Sequence, residues 1–386
     1  MKRTRLLALL LAVLTLCAAC GNAAQTTGET VSETATPSER EPEGFEAAIA
    51  EIDESGDVLL QTTPAAFGAA GFEIGDRITV TIGSKDHEMP VGSDADDVDP
   101  GKMLCLIGDG DVRLIVNGGS FALERRIATK DESGAWQYAV DAQSVRVTLK
   151  EKGGYLGTLV KRSLVRTNKR TDYPGLTDEE FANFRMVQTR GIAAGKLYRS
   201  TSPINPSYNR SAEADAAARA AGIKTAINLT DDPADIPLYA GYADTYYAGL
   251  TVFARALETD FFTDRFRADL ADALRFMAQN EPPFLVHCME GKDRTGFLCS
   301  MLEALTGATT DEIVRDYMRS YENFYKVETD SPTYRYIAEN NVLANLAKAF
   351  DLPTLDGADL SAAARAYLRG IGLTDGEIEA IVSKLS

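Results

Sequence analysis

His287-Cys288-Met289-Glu290-Gly291-Lys292-Asp293-Arg294-Thr295-Gly296 is the stretch on which the reading of this chain turns. Just before it, Phe284-Leu285-Val286 is a short apolar run of strand type. Just after it, Phe297, Leu298, Met301, Leu302 and Leu305 recur with helical period. The spacing predicts a strand–loop–helix junction, which aims successive backbone N–H groups and the positive end of the helix dipole at one spot. An anion held there lies against Cys288. The same field acts on the thiol, because helix N-termini and nearby cations lower a cysteine pKa from about 8.5 to roughly 3.5–7.5. Cys288 is therefore expected to be a thiolate nucleophile, and Arg294 a planar fork for two phosphoryl oxygens. Thr295 is expected to donate its hydroxyl to the sulfur, and His287 to orient the loop by hydrogen bonding to backbone. Met289, Glu290, Gly291 and Lys292 complete a cradle for a phosphoryl group.

This loop resembles the signature of cysteine-dependent phosphatases, the protein tyrosine phosphatase superfamily. Its Gly291-Lys292-Asp293-Arg294-Thr295-Gly296 form is similar to a bacterial branch of them. Asn183-Phe184-Arg185 and Gly195-Lys196-Leu197-Tyr198-Arg199-Ser200 resemble that branch's opening motifs. Asp316-Tyr317-Met318-Arg319-Ser320, with Tyr367-Leu368-Arg369 and Ile371-Gly372-Leu373-Thr374, resemble its C-terminal helices. The resemblance covers residues 170–386. It implies an α/β fold, a parallel-sheet sandwich with flanking helices, and a cysteinyl-phosphate intermediate formed without cofactor or metal. The substrates it implies are phosphotyrosine proteins, in some members phosphoserine or phosphothreonine proteins, and phosphoinositides.

Cleaving a phosphate ester leaves an oxyanion, so a general acid is worth about 10²–10⁴-fold. Asp231 and Asp232 follow residues 223–229, an apolar run that reads as a second strand. Its C-terminal edge should face the cradle, where α/β sheets bind ligands. The other candidate is Asp293, inside the loop. The resemblance to lipid-phosphatase-like members favours Asp293 over Asp232. The structural readings of the same residues are a pairing of Asp293 with Arg199 or Lys292, and a plain turn at Asp231-Asp232-Pro233. Lys292 adds a cation at the rim, which in the resembling family accompanies substrates with more than one phosphate; Glu290 opposes it. Arg199 is a further candidate for substrate contact. Two rivals stay open: an extracytoplasmic inositol-polyphosphate phosphatase of phytase type, and a phosphate-binding pseudophosphatase without turnover.

The 386 residues leave room for two domains plus tails, and 45% hydrophobic residues is ordinary globular composition. Lys2, Arg3 and Arg5 precede an apolar stretch, 6–19, that is too short to span a bilayer; residues 1–19 read as a signal peptide. Cys17-Ala18-Ala19-Cys20-Gly21 resembles a bacterial lipoprotein cleavage box, with Cys17 where Leu is usual. Cys20 is thus the expected lipidation site and the outer face of the cell membrane the expected address. Simple secretion after Ala19 is the alternative. Residues 20–44 are expected to be a flexible tether, being rich in Thr, Ser, Glu and Pro. A formal charge of −17 argues against nucleic-acid partners.

Lys161, Arg162, Arg166, Lys169 and Arg170 form a basic patch within an expected connector, 151–169. Beyond Cys20 only Cys105, Cys288 and Cys299 remain, which is no disulfide framework, and neither they nor the two histidines suggest a metal site. Cys299 reads as core, with capture of an oxidised Cys288 as the alternative. Residues 45–150 have strand-like runs at 57–60, 77–82, 112–116 and 144–149 between Gly/Asp turns, which predicts a small all-β barrel or sandwich. Met89-Pro90, Asp97-Val98 and the stretch 117–122 resemble the C-terminal β-domain of S-adenosylmethionine hydroxide adenosyltransferases. That active site needs a partner domain, so no chemistry is carried over; spacing from a membrane and shaping substrate access are both open roles. An amphipathic helix is expected over 262–279, with Phe266, Leu270, Ala273, Leu274 and Met277 on one face.

Overall fold

Alternation of buried and exposed side chains along short strands, as in Arg77–Ile82, closes the first part of the chain into a barrel. The computed structural model describes residues 44–139 and 144–386, and the chain divides into two units at Ser163/Leu164. The expected signal peptide, Cys20 and most of the expected tether lie outside the described residues.

The barrel strands are β1 (Phe45–Ile52), β2 (Val58–Leu60), β3 (Arg77–Ile82), β4 (Lys85–Gly92), β5 (Met103–Ile107), β6 (Val112–Val116) and, after a small β7–β8 hairpin (Ala128–Lys130, Trp136–Tyr138), β9 (Ser144–Glu151). They close in the order β1-β2-β6-β5-β4-β3-β9. Ile78, Val80, Ile82, Val145 and Val147 point inward, and Phe67 stacks on Phe72 at 4.8 Å between centroids. Of the short helices α1 (Pro64–Ala69), α2 (Phe121–Glu124) and α3 (Leu156–Ser163), the last corrects the expected connector. Buried Asp76 accepts from the Gly153 amide and Lys152 Nζ, the Tyr155 hydroxyl donates to Asp97 O, and Arg162 pairs with Asp99. Residues 151–163 are therefore fastened to the barrel.

The second unit has the expected parallel-sheet architecture. Strands β10 (Arg185–Met186), β11 (Leu197–Ser200), β12 (Thr225–Asn228), β13 (Thr251–Ala254) and β14 (Phe284–His287) lie in the order β10-β11-β14-β12-β13, and all but β10 are parallel. Around them run α4 (Asp178–Phe181), α5 (Ser211–Ala220), α6 (Asp264–Gln279), α7 (Asp293–Thr306), α8 (Thr310–Tyr325), and helices that include Leu360–Gly370 and Asp375–Leu385. Helix α6 starts at the Thr263 cap and buries the five apolar residues expected of it. Helix α7 is buried from Thr295 to Leu305 and meets α6 where Phe266 and Phe297 stand 5.6 Å apart edge to face. Among the described residues, no helix is long and apolar enough to cross a membrane.

Candidate active site

Residues Ser200, His287, Asn228 and Ala254 share one register across β11, β14, β12 and β13, so the four strands end along one edge of the sheet. Cys288 is the first residue beyond that edge on β14, which lies between β11 and β12, and is 3% exposed. The loop from Cys288 to Lys292 leads directly into α7. This is the strand–loop–helix junction read from the sequence.

What shapes the loop is the fate of its carbonyls. Met289 O accepts from Thr201 Oγ1 at 2.6 Å and from the Ser202 amide at 3.2 Å. Glu290 O accepts from Asn183 Nδ2 at 2.9 Å, Gly291 O from Arg199 Nη2 at 2.9 Å, and Lys292 O from Arg199 Nη2 at 3.3 Å. Four successive carbonyls are thus drawn toward the protein. In a planar trans peptide the following N–H points the opposite way. The amides of Glu290, Gly291, Lys292 and Asp293 therefore face the inside of the loop, the arrangement an oxyanion requires. Gly291 permits it: its φ is +68°, and a Cβ there would meet Ser200 O at 2.1 Å.

Arg199 is a correction. Expected to touch substrate, it is fully buried behind the loop. It lies directly opposite Arg185 in the β10–β11 pair, where like charges repel. Asp316 of α8 resolves this by accepting from Arg185 Nε at 2.8 Å and from Arg199 Nη1 at 2.5 Å. Burial pushes the Asp316 carboxyl up, but the two guanidiniums outweigh it and hold it below the ordinary carboxylate value. Arg199 is a positioning residue.

His287 is fully buried, so it does not line the cradle; its Nε2 meets the Tyr247 hydroxyl at 2.8 Å, and its ring also engages the backbone of Cys288. Burial pushes its imidazole down to about 4, with Asp231's charge opposing. Thr295 is also fully buried, and its Oγ1 makes no hydrogen bond, so the expected donation to the sulfur is not made in this structure.

Arg294, in the first turn of α7, donates to Leu229 O at 3.0 Å, Leu257 O at 3.1 Å and Thr230 Oγ1 at 3.1 Å. Its fork lies against the loops that follow β12 and β13. Asp232 is exposed on the first of these and accepts from the Ala256 amide at 3.3 Å. Asp231 is a turn-fastening residue, buried and bound to Asn228 Nδ2 and the Tyr239 hydroxyl. Asp293 opens α7, with its side chain 54% exposed and 3.6 Å from Lys292 Nζ. Desolvation in the site mouth, with Glu290's charge adding, pushes its carboxyl up against the pull of Lys292. That direction suits a proton donor.

Lys292 Nζ lies over the rings of Tyr321 and Tyr325 and 3.4 Å from Glu290 Oε2. Cys299 is buried in α7, and burial pushes its thiol up to about 12, which makes it core rather than a reactive partner. No cluster among the described residues could hold a metal ion. The loop's supports, Asn183, Arg185, Thr201, Ser202, Asp316 and Ser320, carry no catalytic signature of their own. Their signal was the pair of flanking motifs around Asn183 and Asp316, read as family likeness and not as machinery.

A family model described as the tyrosine phosphatase family matches residues 180–386. Over 41 residues the chain is 46% identical to the triple specificity protein phosphatase PtpB of Mycobacterium tuberculosis; the match covers 11% of this chain, and this chain spans 15% of the length of that relative. Among solved structures, P. aeruginosa TpbA in complex with pTyr is 18% identical, with 52% of this chain and 98% of that chain covered and a TM-score of 0.30. The core catalytic domain of the PP-IP phosphatase SIW14 from S. cerevisiae, in complex with citrate, is 20% identical, with 45% and 95% covered and a TM-score of 0.27.

Two outcomes are expected. Gly291→Ala should weaken tungstate binding about tenfold or more, roughly 1.4 kcal/mol, by calorimetric titration; undiminished affinity would mean the loop's backbone is not the anion site. The neutral, buried His287 makes stability depend on pH with a defined sign. Above the unfolded-state value near 6.5 neither state is protonated; as pH falls toward 4, only the unfolded state gains the proton and stability drops. Urea unfolding of His287→Asn should therefore show a lower stability at pH 7 and a smaller loss between pH 7 and pH 5 than the parent.

Proposed function

This chain belongs to the tyrosine phosphatase family, and we propose that it hydrolyses phosphotyrosine in proteins through a cysteinyl-phosphate. The observation that carries this reading is the loop over Cys288, whose four carbonyls are drawn away from the site so that its amides face inward. In the proposed first step, Cys288 Sγ as thiolate attacks phosphorus in line and the ester P–O bond breaks. The leaving oxygen takes a proton from Asp293, or from Asp232 as the alternative donor. The inward amides and Arg294 take up the charge on the equatorial oxygens, Arg294 turning its fork from the carbonyls it now binds. Water then attacks the phosphocysteine, giving its proton to the same carboxylate, and inorganic phosphate and thiolate are released.

Asp293 is favoured because its side chain stands exposed at the mouth of the loop, beside Lys292 and next in sequence to Arg294, with its carboxyl raised despite the helix start that would lower it. Phosphoinositides are the alternative substrate class, and the Glu290 carboxylate at the rim weighs against more highly phosphorylated inositols. The proposal extends to the address: the leader and the Cys17–Gly21 box support a lipid anchor on Cys20 and action outside the cytoplasm.

Hydrolysis of p-nitrophenyl phosphate tests the chemistry. Cys288→Ser is expected to abolish it, and no turnover by the parent would favour a binding module. On an alkyl phosphate, whose leaving group needs its proton, Asp293→Asn should lose about 10²-fold or more in kcat, and more than Asp232→Asn; the reverse order would move the assignment. Palmitate labelling lost in Cys20→Ser would support the anchor, and labelling that persists would remove it.

A further inference from the structure

The basic connector residue Arg166 and the cradle residue Glu290 meet in a contact that the proposed chemistry does not use. Glu290 contributes its backbone to the loop, but its side chain turns along the rim and is 14% exposed. There one carboxylate engages two cations. Oε1 lies 3.1 Å from Arg166 Nε, while Oε2 accepts from the Tyr325 hydroxyl at 3.0 Å and lies 3.4 Å from Lys292 Nζ.

Each cation is also held independently. Lys292 Nζ sits 4.9 Å from the Tyr321 centroid and 4.8 Å from that of Tyr325, and donates to the Tyr325 hydroxyl at 3.3 Å. The Arg166 guanidinium stacks 3.8 Å over Tyr208 and donates to Asn168 Oδ1 at 2.8 Å. Cation–π stacking of this kind fixes position without neutralising charge; Lys292 Nζ has in addition the exposed Asp293 carboxylate at 3.6 Å. Beside them, Leu164, Val165, Arg166, Thr167, Asn168 and Tyr325 line a surface cleft of about 470 Å³. Two ordered cations beside a phosphate cradle, one of them, Arg166, lining this cleft, would receive a second phosphate, were they not already engaged by a carboxylate of the same chain.

We propose that Glu290 is a specificity-determining residue. Its carboxylate occupies Lys292 and Arg166 and turns away substrates that carry a second phosphate beside the scissile one. Discrimination needs a repulsive element against the wrong ligand as well as contacts to the right one, and Glu290 supplies it. The inference rests on the phosphomonoesterase reading above and deepens it: the site selects isolated monophosphates such as a phosphotyrosine side chain.

The test measures binding, not turnover, in the full chain carrying Cys288→Ser. Calorimetric affinities are taken for phenyl phosphate and for an inositol 4,5-bisphosphate. Adding Glu290→Gln, which keeps the side chain's shape, should raise the bisphosphate-to-phenyl-phosphate affinity ratio about tenfold or more, and further adding Arg166→Met should reverse much of that gain. Arg166→Met with Glu290 intact should move the ratio less than twofold, because that cation is already engaged. An unchanged ratio in Glu290→Gln overturns the inference, as does a tenfold fall in Arg166→Met alone. Failure of phenyl phosphate to bind the Cys288→Ser parent at all would instead sink the cradle reading, and the inference with it.

Discussion

One carboxylate, that of Asp316, sets the conditions for everything at this site. Two arginines lie opposite each other in the β10–β11 pair, and the backbone alone gives them no reason to coexist. With Asp316 between them, Arg185 braces Asn183, its Nη1 donating to Asn183 Oδ1 at 2.7 Å, and Arg199 presents its Nη2 to the loop carbonyls. A buried pair of this kind is costly to leave half-made. Its function here is orientation: it turns peptide planes, and through them the amides, toward one point. The loop's shape thus has its cause outside the loop itself.

The site's charges are layered. Behind the loop, fully buried Arg199 and the largely buried Arg185 and Asp316 are paired. At its mouth, the largely buried Lys292 and Glu290 engage each other and, further out, half-buried Arg166 and exposed Asp293. The inner layer shapes the backbone that receives a phosphoryl group, and the outer layer meets whatever the phosphoryl group is attached to. Arg294 differs: its guanidinium donates to two carbonyls and a hydroxyl, and among the described residues no carboxylate pairs with it directly, so an oxyanion would supply its counter-charge.

Much of this was legible in the residue order where the signal was local. The strand before Cys288, the helix after it and the amphipathic α6 followed from apolar runs and apolar period over a few residues. The barrel was less legible. Strand β4 begins with charged residues and contains Pro90, β1 is Ala-rich, and β5 lacks alternation. Their strand character comes from closure with neighbours, which period alone does not reveal. Arg199 was misread for a similar reason: an arginine in a short strand looks like surface until its partner, 117 residues away, is folded against it.

By itself the sequence determined the junction around Cys288 and the mixed α/β character of the second unit, because backbone propensity, glycine geometry and apolar period act between near neighbours. Only the tertiary structure decided which charge meets which. Asn183 reaches a loop 107 residues away, Arg199 faces Asp316 instead of substrate, and Glu290 joins Lys292 to Arg166. The physical reason is that an ion pair or a carbonyl's partner is chosen by proximity in space, and chain order carries no measure of that distance.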